Sequence, residues 1–200
     1  MNLQTKITIA APDFSIDYNS KLMMLGSCFA ENMGGKFSYY KFDVDVNPCG
    51  IIYNPLSVAN VLRLIMEGKP FGKDDLRKVG EKWVSLYHHG AFSSTDPEEC
   101  LRRINERLER ATRELRSLDL LVITWGTAWV YKHVGENMVV SNCHKIPSQE
   151  FERSRLSVED IVKEYVELIG RLREINPGLR VLFTVCLLYT SPSPRDYAAS

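Results

Sequence analysis

The chain has 200 residues, of which 44% are hydrophobic and 25% charged, and this balance is typical of a single globular domain with a substantial core. Lysine plus arginine equals aspartate plus glutamate at 25 each, so the chain lacks the basic field that favours a nucleic-acid partner. Because the N-terminus lacks a basic start with a long apolar core, and no window holds about eighteen uninterrupted apolar residues, we expect a cytoplasmic protein without a membrane partner.

The first predicted strand, Leu22–Leu25, ends in a Gly26-Ser27 turn that leads directly into a helical pattern beginning near Cys28. Such a turn is expected to leave the serine hydroxyl exposed at the edge of a sheet. The first backbone N–H groups of the helix would lie beside it, and a developing oxyanion needs such donors. The alternative is that Ser27 only caps the helix and that Gly26 only permits the bend.

Strand and helix patterns alternate along the chain, which predicts an α/β protein with a mainly parallel sheet. Further strands are predicted at Phe42–Val46, Leu120–Thr124 and Arg180–Val185. Helices are predicted from Pro55 to just before Gly68, from Pro97 to Leu118 and from Val158 to Ile175, with Asn54, Asp96 and Ser157 before them and Glu99 returning a capping bond to Asp96. The segments Lys82–Ser93 and Ala128–Ser141 alternate as strands beside the main sheet, the second with a hairpin turn at Gly135–Asn137.

The last residues, 186–200, resemble the translation of an adapter used in sequencing libraries. They follow an apolar strand with no cap or turn between, and we interpret them as a non-native tail. Residues 1–185 are then one domain that is incomplete at its C-terminus. The alternative is a natural disordered tail rich in serine and proline.

Polar or glycine-containing loops follow three of the predicted strands, at Ser27, at 47–50 and at 125–127. In open parallel sheets, ligands bind in the crevice beyond the carboxyl ends of the strands. All three loops would therefore meet at that edge of the sheet.

The same loops lie in four blocks of sequence: Gly26-Ser27-Cys28-Phe29-Ala30, Asn47–Pro55, Ile123–Tyr131 and Ser141–Pro147. In this order the blocks resemble the GSCFA family, a bacterial group similar to the SGNH (GDS-type) serine esterases and acyltransferases. Because all three loops fall within these blocks, we favour a functional site at the strand ends over a purely structural role for Ser27. The resemblance spans nearly the whole chain. It implies a three-layer α/β/α, flavodoxin-like fold of the SGNH-hydrolase kind.

The resemblance also implies roles for individual residues. Ser27 corresponds to the nucleophile, and the backbone N–H groups of Cys28 and Gly50 correspond to oxyanion donors. Thr127 stands where the SGNH superfamily has an asparagine donor, and its hydroxyl can also donate a hydrogen bond, with a different reach. The substrate-binding candidates from these blocks are Tyr53, Trp125 and Asn142.

A serine nucleophile needs a base to take its proton, and the chain offers His88, His89, His133 and His144. Only one of the adjacent pair can face inward from an alternating strand, and His133 flanks a hairpin, where we expect solvent exposure. His144 belongs to a family-like block and is the candidate base. The alternative, which we favour, is a structural histidine that donates to a loop carbonyl. In the superfamily the working histidine follows the last strand, so we hypothesise that the general base is missing from this sequence, and we expect a chain of this sequence alone to be inactive.

The predicted chemistry is acyl transfer without a metal or organic cofactor: Ser27 attacks an ester carbonyl, and water or a hydroxyl acceptor releases the acyl group. By analogy with the superfamily, the expected substrate is a small acyl ester, such as one linked to a carbohydrate. Two alternatives stay open, a non-catalytic ligand-binding domain of the same fold and an enzyme that uses the thiol of Cys28. The oligomeric state is left open.

Overall fold

The computed structural model describes residues 14–185, so the predicted tail at 186–200 lies outside the described residues. The helices in this range are α1 (Cys28–Tyr39), α2 (Pro55–Glu67), α3 (Pro97–Leu115) and α4 (Val158–Ile175). The strands are β1 (Lys21–Gly26), β2 (Asp43–Val46), β3 (Arg77–Val79), β4 (Lys82–Val84), β5 (Leu120–Trp125), β6 (Trp129–His133), β7 (Met138–Val140), β8 (Phe151–Arg155) and β9 (Arg180–Val185). None of the helices described here is long and apolar enough to cross a membrane.

The main sheet is parallel and has the strand order β2-β1-β5-β9. From β1 the chain moves to the edge strand β2, and it then crosses back to form β5 on the other side of β1. The connections therefore diverge between β1 and β5, and a crevice at the carboxyl ends of these two strands is the usual ligand position in open α/β sheets. The prediction of an α/β protein with a parallel sheet is confirmed.

Alternating side chains of β1 and β5 separate two apolar layers. Met23 and Leu25 belong to the larger core cluster, which includes buried side chains of α2, α3 and α4. Leu22 and Met24 belong to a smaller cluster with Ala30 of α1. Helices thus cover both faces of the sheet, because residues at odd and even strand positions point to opposite sides.

Local sequence signals set the ends of the helices. Asn54 precedes Pro55, the first residue of α2, and its side chain accepts the Ser57 N–H. Gly68 ends α2 with a left-handed backbone conformation. Ser157 and Asp160 form a reciprocal capping box at the start of α4. These are the boundaries that the sequence predicts.

Two local predictions were wrong. Asp96 caps α3, but Glu99 returns no bond to it, because the Glu99 carboxylate pairs with Arg102 and Arg103 one turn further on. The segment 82–93 is a strand only at β4, which pairs with β3 as a small hairpin. The prediction of a hairpin at 128–141 is confirmed, since β6 pairs with β7 and also with β8 in a separate antiparallel sheet.

Candidate active site at the strand ends

Three loops meet at the carboxyl edge of the main sheet, and we call this the strand-end site. They begin at Ser27 after β1, at Asn47 after β2 and at Gly126 after β5. Direct hydrogen bonds join them: the Ile52 N–H donates to the Gly26 carbonyl at 2.9 Å, and the Ser27 N–H donates to the Thr124 carbonyl at 3.1 Å. The predicted convergence of these loops is therefore present.

Ser27 is the N-cap of α1 and is held on β5 through Thr124. Its N–H donates to Thr124 Oγ1 at 2.9 Å, and its hydroxyl lies 3.1 Å from the same oxygen. The hydroxyl also accepts the Phe29 N–H at 3.3 Å. Ser27 is only 4% exposed, so the expectation of an exposed hydroxyl was wrong: the hydroxyl lies at the sheet edge, but the neighbouring loops cover it.

Asn47 connects the loop after β2 to the Gly26 turn. Its backbone has a positive φ of 43°, and its side chain is buried. Asn47 Oδ1 accepts the Gly26 N–H at 2.9 Å, and Nδ2 donates to a Glu31 carboxylate oxygen at 2.8 Å. This amide fixes the turn that carries Ser27, because it accepts from the Gly26 N–H before Ser27 and donates to the Glu31 carboxylate after it.

The backbone donors predicted for an oxyanion differ in their availability. Among the described residues no acceptor takes the Cys28 N–H, which is the first N–H of α1. The Gly50 N–H already donates to the Asn47 carbonyl at 2.7 Å. An oxyanion role for Gly50 therefore requires that turn to open, and both roles stay predictions.

Thr127 and Tyr53 form the outer wall of the strand-end site. The N–H groups of Gly126 and Thr127 both donate to the Tyr53 carbonyl, at 2.9 and 3.2 Å, and Thr127 Oγ1 accepts the Trp129 N–H at 3.1 Å. The Thr127 oxygen thus closes a local turn, and its predicted oxyanion role would use the hydroxyl proton alone. Tyr53 is 43% exposed, which suits its predicted contact with substrate.

Gly126 lies between Ser27 and Tyr53. A Cβ at this position would be 3.5 Å from Ser27 Cβ and 3.0 Å from Tyr53 Cδ1. The glycine therefore leaves a small space beside Ser27 that any side chain would fill.

The predicted base, His144, anchors a loop. Its Nε2 lies 2.8 Å from the Ser85 carbonyl, to which it donates, and its N–H donates to Asn142 Oδ1. Among residues 14–185 the hydrogen-bond partners of the Ser27 hydroxyl are Thr124 and Phe29. The structure therefore favours the structural alternative for His144, and Asn142 serves as its turn partner rather than as an evident substrate contact.

His88 and His89 belong to the same region, although the sequence assigned them no role. The His89 N–H donates to the Cys49 carbonyl at 2.8 Å, and a Cβ on Gly50 would collide with His89 Cβ. His88 is buried beside Phe71, with Nδ1 at 2.9 Å from Ser85 Oγ. Burial, together with the nearby His144, lowers the pKa of His88 to about 3, so this side chain stays neutral.

We expect this buried histidine to make stability depend on pH. The unfolded chain binds a proton at His88 below about pH 6.5, whereas the folded chain does so only near pH 3. This histidine therefore leaves the free energy of unfolding unchanged well above pH 6.5 and lowers it as the pH falls towards 3. Urea unfolding at pH 7.5 and 5.5 should give a loss of about 1 kcal/mol.

The variant His88→Gln should reduce this slope. A residual slope is expected, because burial also lowers the pKa of His144. An unchanged slope in His88→Gln would contradict the assignment.

Two other residues named from the sequence have different surroundings from those expected. His133 is buried at 2% exposure, with Phe151 and Arg77 against it, so the expectation of solvent exposure was wrong. Trp125 packs on Tyr165 and donates to its hydroxyl at 3.3 Å. Its indole thus belongs to the core edge, and the structure does not support its role as a substrate contact.

The cysteines and the acidic and histidine side chains form no group of three or more that could hold a metal ion within residues 14–185. The four described cysteines are free thiols. Burial raises the pKa of Cys49 to about 12 and that of Cys143 to about 11, so both stay protonated at neutral pH.

Sequence reasoning missed Thr124 as part of the strand-end site, and it placed Asn47 in a site loop without giving its side chain a role. Both are buried polar side chains, at 1% and 5% exposure. The available signal was their position, since a polar residue at the end of an apolar strand needs a specific partner.

Comparisons with known proteins bear on the whole chain. The family model described as the GSCFA family matches residues 21–192, a range that includes all three loops of the strand-end site. A search of the curated proteins and a search of the solved structures each found no match.

Proposed function

Since the chain belongs to the GSCFA family, we propose that it is a serine-dependent esterase or acyltransferase of the SGNH type, with Ser27 as the nucleophile. The observation that carries the proposal is the meeting of three family-like blocks at the ends of three adjacent parallel strands, β2, β1 and β5. The order β2-β1-β5-β9 also agrees with the start of a flavodoxin-like sheet. Both observations support an SGNH-like arrangement.

In the proposed reaction the Ser27 oxygen bonds to the carbonyl carbon of an ester, and the serine proton passes to a base. The carbonyl oxygen gains negative charge, and the proposed donor to it is the Cys28 N–H, which no acceptor takes among residues 14–185. The ester C–O bond then breaks, and the leaving oxygen takes the proton back from the base and departs as an alcohol. Water or another hydroxyl gives a proton to the base and attacks the acyl carbon, and the bond to Ser27 breaks as Ser27 regains a proton. A small acyl ester linked to a carbohydrate is the proposed substrate, by analogy with the superfamily.

Substrate access requires a local movement, because Ser27 is covered. The Tyr53 ring borders the space at Gly126 and is itself 43% exposed. We propose that rotation of this ring admits the acyl group to the space beside Ser27.

A second candidate function is a non-catalytic ligand-binding domain. The observation in its favour is that the Ser27 hydroxyl is buried and bonded to Thr124, with no histidine bonded to it among residues 14–185. A serine held in this way also explains the geometry as a helix cap.

A fluorophosphonate probe separates the two functions, because it reacts with an activated serine. We expect mass spectrometry of the labelled full-length protein to place the probe on Ser27, and Ser27→Ala to abolish both labelling and hydrolysis of 4-nitrophenyl acetate, the latter by about 1000-fold or more. The matched control, Cys28→Ala, changes the adjacent residue and should keep both.

Three results would contradict the serine mechanism. Equal hydrolysis by wild type and Ser27→Ala would remove Ser27 from the reaction. Loss of activity in Cys28→Ala alone would identify the thiol as the nucleophile. Absence of labelling and of hydrolysis, in a chain that unfolds cooperatively, would favour the binding domain.

A further inference from the structure

Aromatic and guanidinium side chains share one face of the β6–β8 pair, and we call this set (Trp129, Tyr131, Arg153 and Arg155) the arginine–aromatic face. The antiparallel register places Trp129 opposite Arg155 and Tyr131 opposite Arg153. The Arg153 guanidinium carbon lies 4.2 Å from the centre of the Trp129 ring and 5.8 Å from that of Tyr131. These are cation–π distances, and they orient the Arg153 guanidinium.

The two guanidinium groups keep their capacity to bind an anion. Neither Arg153 nor Arg155 forms a salt bridge with another described residue, and both are exposed. A planar guanidinium of this kind matches a carboxylate with two parallel hydrogen bonds.

The arginine–aromatic face is continuous with the strand-end site. The Trp129 N–H donates to Thr127 Oγ1, and the Leu156 N–H, one residue after Arg155, donates to the Ala128 carbonyl at 3.0 Å. Gly126, which borders Ser27, precedes these residues directly in the chain. The turn at 126–128 therefore joins the arginine–aromatic face to the strand-end site.

We propose that the arginine–aromatic face binds a carboxylate carried by a small ligand, so that the preferred esters are monoesters with one free carboxylate. The placement of the ester at Ser27 rests on the proposed function, whereas binding of the carboxylate does not. A nucleic acid would also be attracted by arginine and aromatic side chains, but equal numbers of acidic and basic residues disfavour it.

Catalytic preference tests the proposal through two esters of similar length, 4-nitrophenyl hemisuccinate and 4-nitrophenyl butyrate. We expect the ratio of their kcat/KM values to favour hemisuccinate and to fall about tenfold in Arg153→Gln or Arg155→Gln. Arg113→Gln, which removes an exposed arginine of α3, is the matched control and should keep the ratio. An unchanged ratio in both strand variants would overturn the proposal.

Binding tests it without any catalysis. In ¹⁵N-labelled Ser27→Ala protein, monomethyl succinate should shift the indole N–H signal of Trp129, which Trp129→Phe assigns, and dimethyl succinate should not. Arg153→Gln should weaken this binding about tenfold.

The catalytic and binding experiments together distinguish the carboxylate site from the proposed esterase function. Binding of monomethyl succinate without ester hydrolysis by the wild type would retain the carboxylate site and reject the esterase. Equal shifts with both succinates, or tighter binding of an oligothymidylate that Arg153→Gln abolishes, would reject the carboxylate site. An Arg153→Gln variant that has a lower melting temperature but unchanged binding of monomethyl succinate would also reject the carboxylate site, since Arg153 would then be structural.

Discussion

Replacing Gly26 by alanine is expected to destabilise the protein by about 4 kcal/mol, because two costs add. Gly26 has a φ of +126°, which an L side chain rarely adopts. A Cβ there would also collide with the Thr124 carbonyl oxygen and would lie 2.7 Å from Thr124 Oγ1. Since both Thr124 oxygens accept the Ser27 N–H, the substitution should displace the candidate nucleophile as well.

The measurement is thermal unfolding, in which about 4 kcal/mol corresponds to a shift of about 10 °C for a domain of this size. Gly35→Ala is the matched control, because Gly35 lies in α1 and a Cβ there meets no atom within 4 Å. It should stabilise the protein by about 0.5–1 kcal/mol through helix propensity. Similar melting temperatures for the two variants would contradict the proposed geometry of the Gly26 turn.

Replacing Arg107 by methionine should also cost about 3–5 kcal/mol, because it leaves a buried carboxylate without its partner. Arg107 of α3 donates to Asp45 Oδ1 at 2.6 Å and to the Val46 carbonyl at 3.2 Å. Asp45 is only 3% exposed, and its second oxygen has no hydrogen-bond partner in the described part of the chain. The pair therefore joins α3 to the end of β2, immediately before the Asn47 loop.

Urea unfolding of Arg107→Met and of Arg102→Met provides the comparison. Arg102 lies on the same helix and pairs with Glu99 and Glu106 at the surface, where solvent screens the charges. We expect the urea midpoint of Arg102→Met to stay close to that of the wild type. Adding Asp45→Asn to Arg107→Met should recover part of the lost free energy of unfolding. Equal urea midpoints for Arg107→Met and Arg102→Met would show that burial does not govern the strength of the Arg107–Asp45 pair.

The family, the α/β fold and the loops of the candidate site could all be predicted from sequence. The Gly26-Ser27 turn, the Asn54-Pro55 start of α2 and the α4 boundaries depend on residues within about four positions of each other, and local signals of this kind suffice for caps and for periodic elements. The strand ends that carry Ser27 and Thr127 followed from the same local patterns.

Tertiary structure alone decided how those residues are used. Ser27 is buried and bonds to Thr124, 97 residues later, and the ring of His144 donates to the Ser85 carbonyl, 59 residues earlier. Burial and hydrogen-bond partners depend on which distant segments the sheet order brings together. No local pattern encodes that placement, whereas each helix and strand is encoded by its own neighbours.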